Sequence, residues 1–313
     1  MLRSLLAILV AAPLLAPAAA SAQDKLTVLL DWFVNPDHAP LYIAQARGQF
    51  AKADLDVTFV APADPSAPPR LVAAGQGDIA ITYQPSLYQQ ADEGLPVSRI
   101  GTLVASPLNS LVVLEDGPVQ SLADLKGATI GYSVGGFEDA LLGRMLESVD
   151  LSLDDVTLVN VNFALSPALL SGQVDAVIGA FRNFELTQLK LEGRTGRAFL
   201  PEENGVPTYE ELIFIAANDR LDDDSLSRFL DVVGEAARWQ AVHPDEAEAM
   251  FFKAQPDIDD ALNRQAFKDT LPKFAAEPKP LDRAKYETFA TFMTDAGLVT
   301  DLPPLDTYAT ALD

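Results

Sequence analysis

The sequence predicts an α/β protein of two lobes, each a mostly parallel sheet flanked by helices, with a helical C-terminal tail. Three observations lead there. Short apolar strands without polar alternation are separated by helical stretches, the pattern of strands buried on both faces of a parallel sheet. The same alternation restarts after about residue 108. From Asp219 onward the pattern is helical, with acidic helix starts and proline punctuation, and offers no further strands.

Residues 1–22, MLRSLLAILVAAPLLAPAAASA, place one arginine before an apolar run and end on Ala20-Ser21-Ala22. That is the form of a secretory signal peptide with an A-x-A cleavage site, too short and too rich in alanine and proline for a membrane span. The 313-residue chain has no cysteine. That removes disulfides, thiolate metal sites and a lipidated cysteine from consideration, and the expected location is the periplasm, free of any lipid anchor. The formal net charge is −23. Such acidity disfavours nucleic acid and anionic membrane surfaces as partners. Because 49% of the residues are apolar, the acidity belongs to a folded globule and not to a disordered chain.

In the first lobe, 26–30, 55–60, 77–83 and 99–105 read as strands, with helices at about 40–52, 68–75 and 85–93. The second lobe offers LVVLED, 128–132, 156–161, 174–181 and 211–218. An internal echo supports two similarly built halves. Gly75-Gln76-Gly77-Asp78 before one strand resembles Gly172-Gln173-Val174-Asp175 before another, each a helix end, a turn and a buried strand. The tail must pack on a lobe to be stable. The expected division is 23–107 plus 220–313 as a discontinuous first lobe and 108–219 as the second, with crossings near 106–112 and 214–222. Two lobes joined twice leave a cleft, where ligands commonly sit.

Ligands of open α/β sheets bind beyond the carboxyl ends of strands. Four such ends here combine aromatic rings with hydrogen-bonding groups. They are Asp31-Trp32-Phe33-Val34-Asn35, Thr82-Tyr83-Gln84, Tyr132 through Phe137 and Glu138, and Phe181-Arg182-Asn183-Phe184-Glu185. Trp32 offers a flat face for a planar ring, and Asn35 both a donor and an acceptor. Asn35 and its acidic neighbours serve equally well to shape the turn.

Competing chemistries are weaker. Gly131-Tyr132-Ser133-Val134-Gly135 matches G-x-S-x-G, and His243 follows in the order of an α/β-hydrolase, but no oxyanion segment precedes it. The glycine-rich turn serves equally well to present backbone N–H groups to a polar ligand atom. Two distant histidines with no H-E-x-x-H or EF-hand pattern argue against metal, and no GxxxxGK[ST] or GxGxxG suggests a nucleotide, so no cofactor is expected.

The segments LDWFVNPDHAPLYIAQARGQF, GDIAITYQPSL, LKGATIGYSVGGFEDALL and VDAVIGAFRNFE resemble the periplasmic substrate-binding proteins of ABC importers for pyrimidine precursors of thiamine. The resemblance runs from about residue 25 to about 300, and its first segment is close to the family's D-W-x-P-N-x-x-H signature. It implies a type II periplasmic binding fold and a ligand such as hydroxymethylpyrimidine or formylaminopyrimidine. Delivery to a membrane permease with its ATPase would follow; a monomer is the default expectation, since nothing in the sequence marks an interface. Trp32 matches the aromatic that stacks on the pyrimidine, Asn35 and His38 the signature's amide and histidine, and Glu185 the carboxylate at the aminopyrimidine edge. Tyr83, Phe137 and Glu138 join them from the other strand ends.

Two positions depart from the pattern. Val34 stands where the family has proline, and Arg182 where it has an aromatic; an arginine facing the cleft would favour an anionic ligand. The alternative is another small ligand of the same broad fold, such as an alkanesulfonate, a riboflavin-like ring or an aromatic carboxylate. Eukaryotic synthases of the family carry a lysine and a histidine where Thr82 and Ser86 stand, and a cysteine cluster that this chain lacks. Without that amine no Schiff base forms, so no catalysis is expected.

Overall fold

The computed structural model describes residues 23–312; the expected signal peptide, residues 1–22, lies outside them. Ten strands fall in two five-stranded sheets among the described residues. The first holds β1 (Asp24–Leu29), β2 (Leu55–Val60), β3 (Ile79–Thr82), β4 (Val97–Val104) and β10 (Leu212–Ala217), in the order β2-β1-β3-β10-β4. The second holds β5 (Asn109–Leu114), β6 (Thr129–Tyr132), β7 (Thr157–Asn160), β8 (Ala176–Phe181) and β9 (Gly196–Phe199), in the order β7-β6-β8-β5-β9.

Each sheet mixes parallel and antiparallel ladders. In the first, β1 pairs in parallel with β2 and β3, while β10 runs antiparallel to β3 and β4. In the second, β6 pairs in parallel with β7 and β8, while β5 runs antiparallel to β8 and β9. The odd strand is in each case the one the chain enters directly from the other lobe, β5 after β4 and β10 after β9. This corrects one expectation: 211–218 supplies a strand of the first sheet, so the second crossing lies before Leu212 and not at 214–222. The strand Gly196–Phe199 carries too little apolar character to be read from sequence, and it forms because β5 offers it an edge.

The internal echo has a structural cause. Thr27 N–H donates to Asp78 Oδ2 (2.6 Å), and Asp78 N–H returns a bond to the Thr27 carbonyl (2.8 Å). Thr129 and Asp175 repeat the exchange in the second sheet, both bonds at 2.8 Å. Each aspartate thereby docks a new strand in parallel onto an earlier one, β3 onto β1 and β8 onto β6, after a glycine (Gly75, Gly172) with φ near +70° has closed the preceding helix.

The helices Asp224–Val242, Pro244–Ala254, Ala261–Thr270 and Arg283–Asp295 pack against the first sheet, joining Phe229, Phe251, Phe267, Tyr286 and Phe289 to the core of Val28, Ile79, Ile81 and Phe214. Two smaller clusters cover the faces of the second sheet. Val134, Phe137 and Leu141 of the second lobe belong to the first lobe's apolar cluster, so the lobes touch.

The two crossings are stitched together by a buried carboxylate. Glu211 Oε2 accepts the N–H groups of Leu108 (2.5 Å) and Asn109 (2.8 Å). Arg182 closes the other side, donating to the carbonyls of Leu108 (3.2 Å) and Asn109 (2.7 Å) and forking onto Glu202 at 2.6 and 3.0 Å.

Candidate functional site

The loop after β1 is locked by its own polar groups. Asn35 caps the short turn Pro36–His38: its Oδ1 accepts Asp37 N–H (2.7 Å), and its Nδ2 donates to the Phe33 carbonyl (3.1 Å). The Asn35 N–H reaches His38 Nδ1 at 3.4 Å, which leaves His38 Nε2 to donate to Asp31 Oδ1 at 2.9 Å. Tyr83 brings its hydroxyl to the other oxygen, Asp31 Oδ2, at 3.1 Å. Pinned at both ends, Asp31 fixes the loop against β3 and leaves the Trp32 ring standing at the mouth of the cleft.

That cleft is narrow, with a cavity of about 30 Å³. The first lobe contributes Asp31, Trp32, Phe33, Asn35, Asp37 and Tyr83 to its walls; the second contributes Glu138, Leu165, Gly179, Phe181, Phe184 and Glu185. Phe163 meets Trp32 across it, ring edge to face at 4.5 Å, and Phe137 backs Tyr83 in a stack at 4.9 Å. Of the residues singled out from sequence, Trp32, Asn35, Tyr83, Glu138 and Glu185 come together on this lining.

Three others do not. His38 is wholly buried behind the loop and orients Asp31. Phe137 is wholly buried behind Tyr83. Arg182 is turned away from the cleft, because the two crossing carbonyls and Glu202 take up its guanidinium; the anionic ligands it would have favoured lose their support. Asn35 faces the cleft with its amide already committed to the turn. The hydrolase pair is absent too: Ser133 Oγ donates to the Asn162 carbonyl, and His243 sits at a helix junction, stacked on Trp239 at 4.9 Å. Among the described residues no three His, Cys, Asp or Glu side chains form a metal-ligating group.

The lining carries four carboxyl groups, Asp31, Asp37, Glu138 and Glu185, and neither lysine nor arginine. Burial pushes Glu138 up to about 8 against two backbone N–H bonds from Ser133 and Val134. It pushes Glu185 up to about 8 as well, against a 2.7 Å bond from Phe181 N–H. Asp37 is raised to about 6, burial again prevailing over the donors Thr270 and Asn183. Desolvation without a cation is the common cause. Near neutral pH both glutamates therefore hold a proton, and each presents an O–H donor beside a C=O acceptor. Gly179 makes room for one of them: a Cβ there would lie 2.2 Å from Glu138 Oε1, and its φ of +92° also requires glycine.

These raised values set the sign of the pH dependence. A carboxyl that keeps its proton longer in the folded chain adds stability that is fully present below the ordinary 4.5 and is lost as pH rises through about 8. The ligand-free protein should therefore melt several degrees lower at about pH 9 than at about pH 5, and the double variant Glu138→Gln/Glu185→Gln should flatten that slope. Thermal melts across the range check it; an equally steep slope in the double variant would contradict it.

Sequence comparison places the chain. Residues 35–247 match the family described as NMT1/THI5 like. The chain belongs to the NMT1/THI5-like family. Among family relatives, a putative thiamine biosynthesis protein of Haemophilus influenzae is 50% identical over 293 residues, covering 93% of both chains. The formylaminopyrimidine-binding protein of Halalkalibacterium halodurans is 33% identical over 252 residues, 80% of this chain and 76% of that one. Other, less similar NMT1/THI5-like proteins bear the name 4-amino-5-hydroxymethyl-2-methylpyrimidine phosphate synthase. The fold matches the alkanesulfonate-binding protein SsuA of Xanthomonas axonopodis pv. citri, bound to MOPS, with a TM-score of 0.70 at 18% identity over 93% of this chain and 99% of that one. This NMT1/THI5-like chain thus has a periplasmic-binding-protein fold.

The same criterion that picked Trp32 applies to Phe163, an aromatic just past a strand end, and would have found it. Asp31 and Asp37 stand in the signature itself. Their place on the cleft wall was hidden because acids in a turn read as turn-formers.

Proposed function

We propose that the protein is the periplasmic binding component of an ABC importer, holding a neutral thiamine pyrimidine precursor between its lobes and releasing it unaltered to a permease. The carrying observation is the lining: one projecting tryptophan and four carboxyl groups with no cation. A 4-aminopyrimidine presents an N–H donor beside a ring-nitrogen acceptor, and a protonated glutamate complements both. Glu185 is the residue for that edge, Trp32 the stacking face, with Glu138 and Tyr83 completing the wall. Sulfonates, carboxylates and phosphorylated pyrimidines meet four acids and no positive side chain, which disfavours all three.

The relative named for formylaminopyrimidine binding supports the ligand class. Thr82 and Ser86, standing where the resembling synthases carry a lysine and a histidine, support a role without catalysis. Calorimetric titration tests the proposal, using the chain from residue 23 onward after unfolding and refolding to strip carried-over ligand. Hydroxymethylpyrimidine or its formylamino analogue should bind at micromolar concentration or tighter, and methanesulfonate should give no heat. Binding of the sulfonate alone would overturn the assignment.

A further inference from the structure

We infer that Asn183 is the latch that holds the two lobes shut, acting through Asp37 and Thr270 without itself touching the ligand space. The inference rests on reading the chain as a two-lobed binding protein and deepens it.

Asn183 follows β8 in the second lobe and is almost wholly buried, yet it does not line the cleft. Its Nδ2 donates across the interface twice, to Asp37 Oδ1 at 2.7 Å and to Thr270 Oγ1 at 2.6 Å. Both acceptors belong to the first lobe, Asp37 to the signature loop and Thr270 to the last turn of the helix Ala261–Thr270. Thr270 Oγ1 also lies 2.7 Å from the same Asp37 oxygen and 2.8 Å from the Ala266 carbonyl one turn back.

A hydroxyl has a single proton, so Thr270 can serve Asp37 or Ala266 but not both fully. With the lobes together, the proton is best spent on Asp37, and Thr270 then accepts from Asn183. With the lobes apart, the hydroxyl has its own helix carbonyl to bond, and Asp37 is open to water. The Asp37 carboxylate and the Thr270 hydroxyl thus find partners in either state and exchange them on closure, which is what a two-position element requires.

The orientation of the amide is fixed by this choice. Two acceptors face Nδ2, and Asn183 Oδ1 is left buried without a partner. A side chain that packs for stability alone would not orphan an acceptor in order to point both its donors across the interface. Asp37 is the one residue here that both lines the cleft and receives the latch, so whatever fills the cleft and the closing of the lobes meet on one carboxyl group.

The test uses the absence of native cysteine. Spin labels at Lys52→Cys in the first lobe and Glu192→Cys in the second report the interlobe distance, with and without saturating hydroxymethylpyrimidine. Asn183→Ala and the isosteric Thr270→Val are each compared with the parent. The parent should show a short-distance population that either substitution reduces several-fold, with circular dichroism and melting temperature of the ligand-free protein unchanged. In the same variants hydroxymethylpyrimidine should dissociate roughly tenfold faster with association within a factor of three, the signature of a closing contact and not of a lost ligand contact. An unchanged short-distance fraction in both variants, or no such population in the parent under either condition, would overturn the latch. Failure of hydroxymethylpyrimidine to bind the parent would count against the ligand class instead, and the ligand-free distances would then decide the latch alone.

Discussion

Trp32→Ala should weaken binding of hydroxymethylpyrimidine by roughly 10- to 100-fold, the usual worth of stacking a heterocyclic base on an aromatic side chain. Trp32 is half-buried, projects from a loop pinned by the Asn35 cap and the Asp31–His38–Tyr83 bonds, and meets Phe163 of the second lobe edge to face. Its removal takes away a wall of the cleft and leaves those bonds in place. The fold should therefore persist, with a melting temperature within a few degrees of the parent. Calorimetry beside a thermal melt separates the two effects. Trp32→Phe should recover most of the affinity, and an unchanged affinity in Trp32→Ala would place the ligand elsewhere.

The largest effect on stability is expected at Arg99. This fully buried guanidinium donates to the carbonyls of Lys279 (2.9 Å), Thr310 (3.2 Å), Pro278 (3.2 Å) and Pro280 (2.6 Å), and to Thr102 Oγ1 (2.7 Å). Glu210 lies 4.0 Å away, its carboxylate held by the hydroxyls of Thr102 and Tyr286 at 2.7 Å each. One cation therefore gathers the segment 278–280, the chain end and β4. Arg99→Ala would leave the carbonyls of Lys279, Pro280 and Thr310 without their donor and the buried Glu210 without its nearby cation, at a cost of about 3–5 kcal/mol. That corresponds to a fall of about 10 °C or more in melting temperature. Arg99→Lys should recover little of it, since one ammonium cannot span five acceptors. A drop of only a degree or two would show that the tail is held by the apolar packing of Phe229, Phe251 and Phe289 alone.

What could be read from the sequence divides along physical lines. The unalternating strands and the two Gly-Gln-x-Asp turns were legible because burial on both faces and strand docking by an aspartate leave local marks. The direction of β10 was not. Its apolar run continues the pattern of the second lobe, and only the chain's return across the interface makes it antiparallel in the first sheet. At the site, Trp32, Tyr83, Glu138 and Glu185 were legible as polar or aromatic groups at strand ends. His38 and Phe137 belong to the same motifs but lie one layer behind, a distinction set by side-chain direction and not by spacing. Arg182 misled for a related reason: a cation at a strand end reads as a ligand anchor, whereas Glu202, twenty residues on, together with two crossing carbonyls, claims it.

The second tryptophan makes a direct measurement available. Trp239 is not part of the cleft lining; it is stacked on His243 and lies under Arg47. In Trp239→Phe the emission comes from Trp32 alone, since the chain has only two tryptophans. Titration of that variant with hydroxymethylpyrimidine should quench the emission saturably, and methanesulfonate at the same concentrations should leave it unchanged. No response to the pyrimidine, or an equal response to the sulfonate, would contradict a cleft built for a flat, uncharged heterocycle.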